Sequence, residues 1–253
     1  NTTVEQQIYD ENAAAIYQIV KEELNRLEAM LSFYQDSSEI SQLNQSAGKK
    51  SIKISQELLA VLQQAKKTMQ LSDNTFNIML SPLIQLWKKA GKCNELPTPQ
   101  AVQEALLLCD ADNLVLDVPN SEAYLKKKGS MVDLGAIGKG FAADVACDIY
   151  QKHAVKSAFV NLGGNVKSVG NGPKGESWRI GIQHPDKLRG ECYCILTCSD
   201  LSVVTSGAYE RYQVIDGKKY HHIIDGQTGY PSESNLKSVT VISKSSVQAD
   251  ALS

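Results

Sequence analysis

The chain has 253 residues, 42% of them hydrophobic, and a formal net charge of -2 from 26 basic and 28 acidic side chains. That is enough apolar material for a full core in one folding unit, and too balanced a charge for a nucleic-acid surface. No apolar run approaches the ~18 residues that cross a bilayer.

Apolar residues at Ile16, Ile19, Val20, Leu24, Leu27, Met30 and Leu31 recur at helical spacing and predict a core-facing helix over residues 12–33. A polar, turn-rich stretch follows at 34–44. A strand near 52–54 then leads to Ser55, an N-cap for a helix carrying Leu58, Leu59, Leu62 and Ala65. Ser81-Pro82 reads as N-cap and first residue of a short helix that ends near Lys89 and presents Trp87, and Thr98-Pro99 repeats the device for a helix to Cys109. Residues 113–118 and 123–127 alternate as a hairpin around Pro119-Asn120.

The block DLGAIGKGFAAD at residues 133–144 reads as a short strand, a glycine-rich turn and an amphipathic helix continuing to about His153. Its spacing, G-x-x-G-x-G, is neither the dinucleotide fingerprint nor a P-loop. Gly135, Gly138 and Gly140 let backbone N–H groups at the helix start approach a polyanion, with Lys139 beside them; the same glycines also serve close packing. Short β-rich runs follow at 157–162, 166–169, 178–183, 192–198, 201–205, 209–215, 218–224 and 238–243, with Asp216-Gly217 a hairpin signal. Helices early and strands late predict an α+β fold, N-terminal helices packed with antiparallel or mixed sheet, not a doubly wound one.

Six cysteines, Cys93, Cys109, Cys147, Cys192, Cys194 and Cys198, match neither a small disulfide scaffold nor zinc spacing and read as buried thiols, with Cys192 and Cys194 alternating onto one strand face. Strand alternation sends the adjacent His221 and His222 to opposite faces, so one of them faces a cleft whichever way the sheet lies. Asp250, near the start of a closing helix capped by Ser246, is a candidate hard-oxygen ligand or simply a partner of the helix dipole.

Five ordered blocks carry a resemblance: FYQDSSEISQLN at 33–44, DLGAIGKGFAAD at 133–144, NLGGN at 161–165, HHIIDGQTGYP at 221–231 and ADALS at 249–253. Together they resemble the ApbE family, the FAD:protein FMN transferases, over nearly the whole chain. The resemblance implies one ApbE-like (T-fold-like) domain over residues 1–253 that moves FMN from FAD to a Thr of a partner protein and releases AMP. The alternatives are an FAD pyrophosphatase giving FMN and AMP, or a non-enzymatic FAD-binding protein.

By that resemblance His222 is the general base, and Tyr34, Trp87, Asp133, Lys139 and Ile224 contact FAD, although Asp133 reads equally well as the cap of a turn. Mg²⁺ is implied on Asp250, the carbonyl of Ala136 and Ser253, with a further ligand from the next position, normally Thr, which lies past Ser253. The metal site is therefore expected to be incomplete in this chain. The stretch at 205–211 resembles a further block lining the site. Family members are usually exported, often as membrane-anchored lipoproteins, which implies an extracytoplasmic location through a segment upstream of Asn1. Departures from the family pattern are Lys88-Lys89 after Trp87 where Gly-Phe is common, Asn77 for Asp, Ala208 for an acid, and Gly226 for Pro.

Overall fold

A computed structural model describes residues 2–188, 190–209 and 211–253. Its helices are α1 (Ala13–Leu31), α2 (Glu39–Gln45), α3 (Gln56–Leu71), α4 (Ser81–Cys93), α5 (Pro99–Leu108), α6 (Gly138–Lys152) and α7 (Ser246–Leu252). The strands are β1 (Val4–Ile8), β2 (Ile52–Lys53), β3 (Leu114–Asp117), β4 (Glu122–Leu125), β5 (Ser157–Leu162), β6 (Asn165–Gly170), β7 (Trp178–Gln183), β8 (Cys192–Cys198), β9 (Ser202–Gly207), β10 (Tyr212–Ile215), β11 (Lys218–His221) and β12 (Ser238–Ser243). The α+β expectation holds, and the strand pairs are antiparallel. The chain sorts into two compact units: one gathers residues up to Glu28, Ala136–Gly207 and Leu236–Ser253, the other Ala29–Gly135 and Ala208–Asn235.

The first unit is built on a five-stranded sheet in the order β1-β5-β6-β9-β12. One face of β5 sends Ala158, Val160 and Leu162 into a core closed by Ile16 and Val20 of α1 and by Ala143, Cys147 and Tyr150 of α6. The β5–β6 connection turns on Gly163 and Gly164, whose φ angles of 62° and 97° are those a tight hairpin of this twist demands. A separate ribbon pairs β7 with β8 and carries a register shift at Ile182 and Gln183.

That shift corrects one expectation. Cys194 pairs with Ile182 and Cys192 with Gln183, neighbours on β7, so the two thiols fall on opposite faces of the ribbon instead of sharing one. A second correction concerns burial: Cys109, Cys147 and Cys198 are buried, while Cys93, Cys192 and Cys194 are exposed, all six as free thiols. Burial pushes the Cys147 thiol up to about 12 and the Cys109 thiol up to about 11. Alkylation of the native protein at pH 8 should therefore label Cys93, Cys192 and Cys194 within minutes and leave Cys109 and Cys147 unmodified until denaturant is added; peptide mass mapping reads the result.

The second unit holds α2 to α5, the small sheet β2-β4-β3 and the β10–β11 hairpin. Ser55 and Thr98 cap their helices as expected, accepting from Leu58 N and Ala101 N. Helix α2 departs from the turn-rich expectation: Ser38 accepts the Ser41 N–H at 3.0 Å, and Ile40 and Leu43 are fully buried, so a cap and two apolar residues suffice for two turns. Ser81 does not cap α4. Leu80 occupies that position without a side-chain bond, and Ser81 Oγ is buried with no hydrogen-bond partner among the described residues. The helix also runs past Lys89 to Cys93, where Asn94, at φ 51°, ends it in the left-handed conformation.

Among the described residues no ladder includes the strand expected before the glycine-rich turn. Asn44 takes the place of a neighbouring strand: its amide donates to the Val132 carbonyl at 2.9 Å and accepts the Val132 N–H at 2.7 Å, while Asp133 N–H donates to Ile78 O at 2.9 Å. The segment is extended because one side chain and one carbonyl satisfy its backbone. Asn44 closes the 33–44 block, and its amide holds the residue immediately before the 133–144 block.

Candidate active site

In the first unit the groups of interest converge where α6 begins and α7 ends. Asp250, 5% exposed, accepts from Lys139 Nζ at 3.1 Å on one carboxylate oxygen and from Gly140 N–H at 2.8 Å on the other. The N-terminus of α6 thus meets a buried carboxylate, as unpaired helical N–H groups favour. A Cβ on Gly140 would lie 2.3 Å from Ser246 O and 2.7 Å from Asp250 Cβ, so the third glycine of the block exists for helix-to-helix contact. Ser253 Oγ lies 3.2 Å from the Asp250 carbonyl and 2.8 Å from Ser206 Oγ. Ala136 is exposed in the turn that enters α6.

The cap of α7 is Ser245, which accepts from Gln248 N, and not Ser246. Ser246 Oγ instead donates to Asn165 Oδ1 at 2.7 Å and receives Ser202 Oγ at 2.8 Å, in a buried polar row. Asp144 was not expected to matter, yet its carboxylate accepts from Ser246 N–H at 2.8 Å, Val247 N–H at 3.0 Å, Ser245 Oγ at 3.3 Å and Lys167 Nζ. The signal was present: an acid four residues after Gly140 lies on the same helix face as that close contact.

The second unit holds the histidines. β11 ends at His221, and His222 follows, exposed, with its Nδ1 2.9 Å from the Arg211 carbonyl. A carbonyl oxygen accepts only, so Nδ1 carries the proton and the neutral ring keeps its lone pair on Nε2. His221 Nε2 lies 2.8 Å from Ser232 O, so by the same argument it carries the proton, and Nδ1 is buried without a partner among the described residues. The pair diverges as strand alternation requires.

The expected flavin contacts divide. Tyr34 is 73% exposed and its hydroxyl receives Lys88 Nζ at 2.8 Å, with the ammonium 5.3 Å from the ring centroid. Trp87 packs into the core: it is 4% exposed, its indole N–H donates to Gly229 O at 2.9 Å, and its ring stacks on Tyr220 with centroids 5.3 Å apart. Helical spacing on α4 points it into the cluster with Leu83, Val102 and Ile215, so burial of the largest apolar side chain prevails over presentation. Ile224 belongs to the same cluster and bridges to Pro231 through its backbone. Asp133 accepts the Gly135 N–H at 2.9 Å, the turn-capping role.

One departure from the family pattern has a local reason. Asn77 donates its amide to Cys109 O at 2.9 Å and accepts Met79 N–H at 2.8 Å, and a carboxylate at that position has no donor for the first bond. The 205–211 block is described except for Glu210, which lies outside the described residues; Thr205 pairs its hydroxyl with Thr240 at 2.8 Å.

Among the described residues no group of three or more His, Cys, Asp or Glu gathers to hold a metal. Where α6 begins and α7 ends, the Asp250 carboxylate and the Ser253 and Ser206 hydroxyls offer hard oxygen donors beside the Lys139 ammonium. That donor set fits a magnesium ion, which binds through one or two carboxylates and keeps several waters, and does not fit zinc.

The whole chain, residues 1–253, matches the ApbE family. It is 34% identical over 238 residues to the FAD:protein FMN transferase of Klebsiella pneumoniae (strain 342), covering 94% of this chain and 72% of that protein. It is also 34% identical over 262 residues to the FAD:protein FMN transferase of Treponema pallidum (strain Nichols), covering 97% and 72%. Among solved structures it is similar to the ApbE protein of Thermotoga maritima MSB8, with a TM-score of 0.90 and 28% identity over 100% of this chain and 85% of that one. The Pseudomonas stutzeri flavinyl transferase ApbE, apo form, has a TM-score of 0.83 at 25% identity, covering 100% and 83%. Ordered sequence blocks, an α+β fold and a match along its full length together establish that this chain belongs to the ApbE family.

Proposed function

We propose that this chain is an FAD:protein FMN transferase: it joins FMN, taken from FAD, to the hydroxyl of a Thr in a partner protein and releases AMP. The observation that carries the reading is the hydrogen bond from His222 Nδ1 to the Arg211 carbonyl, which leaves Nε2 as the basic nitrogen, in a chain whose relatives are named for this transfer. The acceptor hydroxyl gives its proton to His222 Nε2 as its oxygen attacks the FMN phosphorus, and the bond from that phosphorus to the oxygen of AMP breaks. Lys139 supplies a positive charge near the start of α6, suited to the phosphates on which charge develops. Magnesium, when bound, neutralises phosphate charge. Asp250, the Ala136 carbonyl and Ser253 would hold it.

The test is to incubate the protein with FAD, Mg²⁺ and a Thr-containing acceptor and weigh the acceptor. A mass gain of one FMN, with AMP released in equal amount, is expected. AMP release at a rate indifferent to the acceptor overturns the transfer reading in favour of hydrolysis, and intact FAD overturns both.

The same family likeness leads us to place the native protein outside the cytoplasmic membrane, tethered by a lipid-modified segment. No helix among the described residues is long and apolar enough to cross a membrane. An upstream coding sequence for a signal peptide ending in a modifiable Cys is the expected finding, and a start codon directly before position 1 contradicts the placement.

A further inference from the structure

We propose that Asp144 is a positioning residue for Asp250, acting through α7; the inference rests on the reading of Asp250 as the magnesium carboxylate. Helix α7, Ser246–Leu252, has its first turn held by groups from other elements. Its placement is set from outside. At one end the Asp144 carboxylate takes the N–H groups of Ser246 and Val247 and the hydroxyl of the cap, Ser245. At the other end Asp250 receives the Gly140 N–H. Asp144 and Gly140 stand four residues apart on α6, one turn, so a single face of one helix grips both ends of the other.

The charge on Asp144 matters as well as its shape. Four donors converge on its two oxygens, including Lys167 Nζ of β6, and the pair is largely buried, with side chains 21% and 13% exposed. Charge-assisted bonds of this kind are the strong ones, and they tie α7 to both α6 and the central strand β6. The buried hydroxyl row of Ser202, Ser246 and Asn165 seats the same first turn of α7 on the sheet. Asp144 acts by fixing where the carboxylate of Asp250 stands.

Residues that orient a metal ligand lose about 10–100-fold in metal affinity when removed. Asp144→Ala should therefore raise the Mg²⁺ concentration for half-maximal transfer by about tenfold or more and weaken Mn²⁺ binding, followed by electron paramagnetic resonance, by the same factor. FAD affinity measured without metal should change less than about twofold, since a role confined to α7 leaves the other flavin contacts alone. Asp144→Asn keeps the side-chain volume and one oxygen but turns an NH₂ toward a donor, so it should shift both readouts in the same direction by less. If Asp144→Ala does not fold, judged by near-ultraviolet circular dichroism, Asp144→Asn decides. A folded variant with the parent's Mg²⁺ requirement and Mn²⁺ affinity overturns the proposal. Asp250→Ala measured in parallel separates the two ideas. Loss of Mn²⁺ binding there with normal binding in the Asp144 variants sinks the positioning role alone. Unchanged Mn²⁺ binding in Asp250→Ala sinks the metal reading, and the inference with it.

Discussion

His222→Ala lowers FMN transfer by roughly 10²–10⁴-fold, the usual contribution of a positioned general base, and leaves FAD binding near the parent value. The expectation follows from tautomer chemistry. The Arg211 carbonyl, 2.9 Å from Nδ1, accepts but cannot donate, so the ring is held with its proton on Nδ1 and its lone pair on Nε2. The backbone N–H of His222 also donates to Arg211 O, at 3.0 Å, which fixes the ring's root as well as its tip. Added Mg²⁺ should not restore the loss, because the missing function is a proton acceptor and not a cation. His221 cannot substitute: its Nε2 faces Ser232 O at 2.8 Å and its Nδ1 is buried. Single-turnover assays with saturating FAD read the rate, and fluorescence quenching of FAD reads the binding. A His222→Ala protein that transfers FMN at the parent rate removes the base assignment.

Asp250 behaves differently under substitution, and two variants are needed to see why. Asp250→Ala removes the acceptor of the buried Gly140 N–H, so it should cost about 1–3 kcal/mol of stability in addition to its effect on activity. Asp250→Asn keeps an oxygen for that N–H and should melt closer to the parent. Both should raise the Mg²⁺ requirement by at least about tenfold, the lower bound set by what loss of a supporting residue already costs, and both should recover part of the rate at high Mg²⁺. The contrast between the two variants separates the structural bond from the metal-binding charge. An Asp250→Asn protein with normal stability and an unchanged Mg²⁺ optimum would refute the ligand role and leave Asp250 as a partner of the α6 N-terminus alone.

Lys139 bears on the Asp250 result. It spends its charge on Asp250 at 3.1 Å in this structure, with its side chain 36% exposed. An ammonium in that position satisfies the carboxylate, which explains how an acid only 5% exposed is tolerated.

Much of this chain was legible before any coordinates. Period-3.6 apolar spacing located α1, α3 and α6, short β-rich runs between turn residues located β5, β7, β8 and β12 to the residue, and Ser55 and Thr98 announced their helices. These features are local: each is decided by residues a few positions apart, through caps, turns and one amphipathic face. The family followed from five ordered blocks for a related reason, since backbone conformations such as those at Gly163 and Gly164 leave few residue types able to serve.

What the sequence could not decide was which distant groups satisfy one another. Asn44 standing in for a strand beside Val132, Trp87 packed on Tyr220 with its N–H on Gly229, and Cys192 parted from Cys194 by a register shift are all set by partners far along the chain. Asp144 is the plainest case. By itself it is an acid in an amphipathic helix, indistinguishable from a solvated one; it becomes the anchor of α7 because the fold brings to it residues 245–247, more than one hundred positions away, and Lys167, more than twenty away. Hydrogen-bond satisfaction in a buried place is a property of the assembled neighbourhood, so it appears only when the tertiary structure has assembled it.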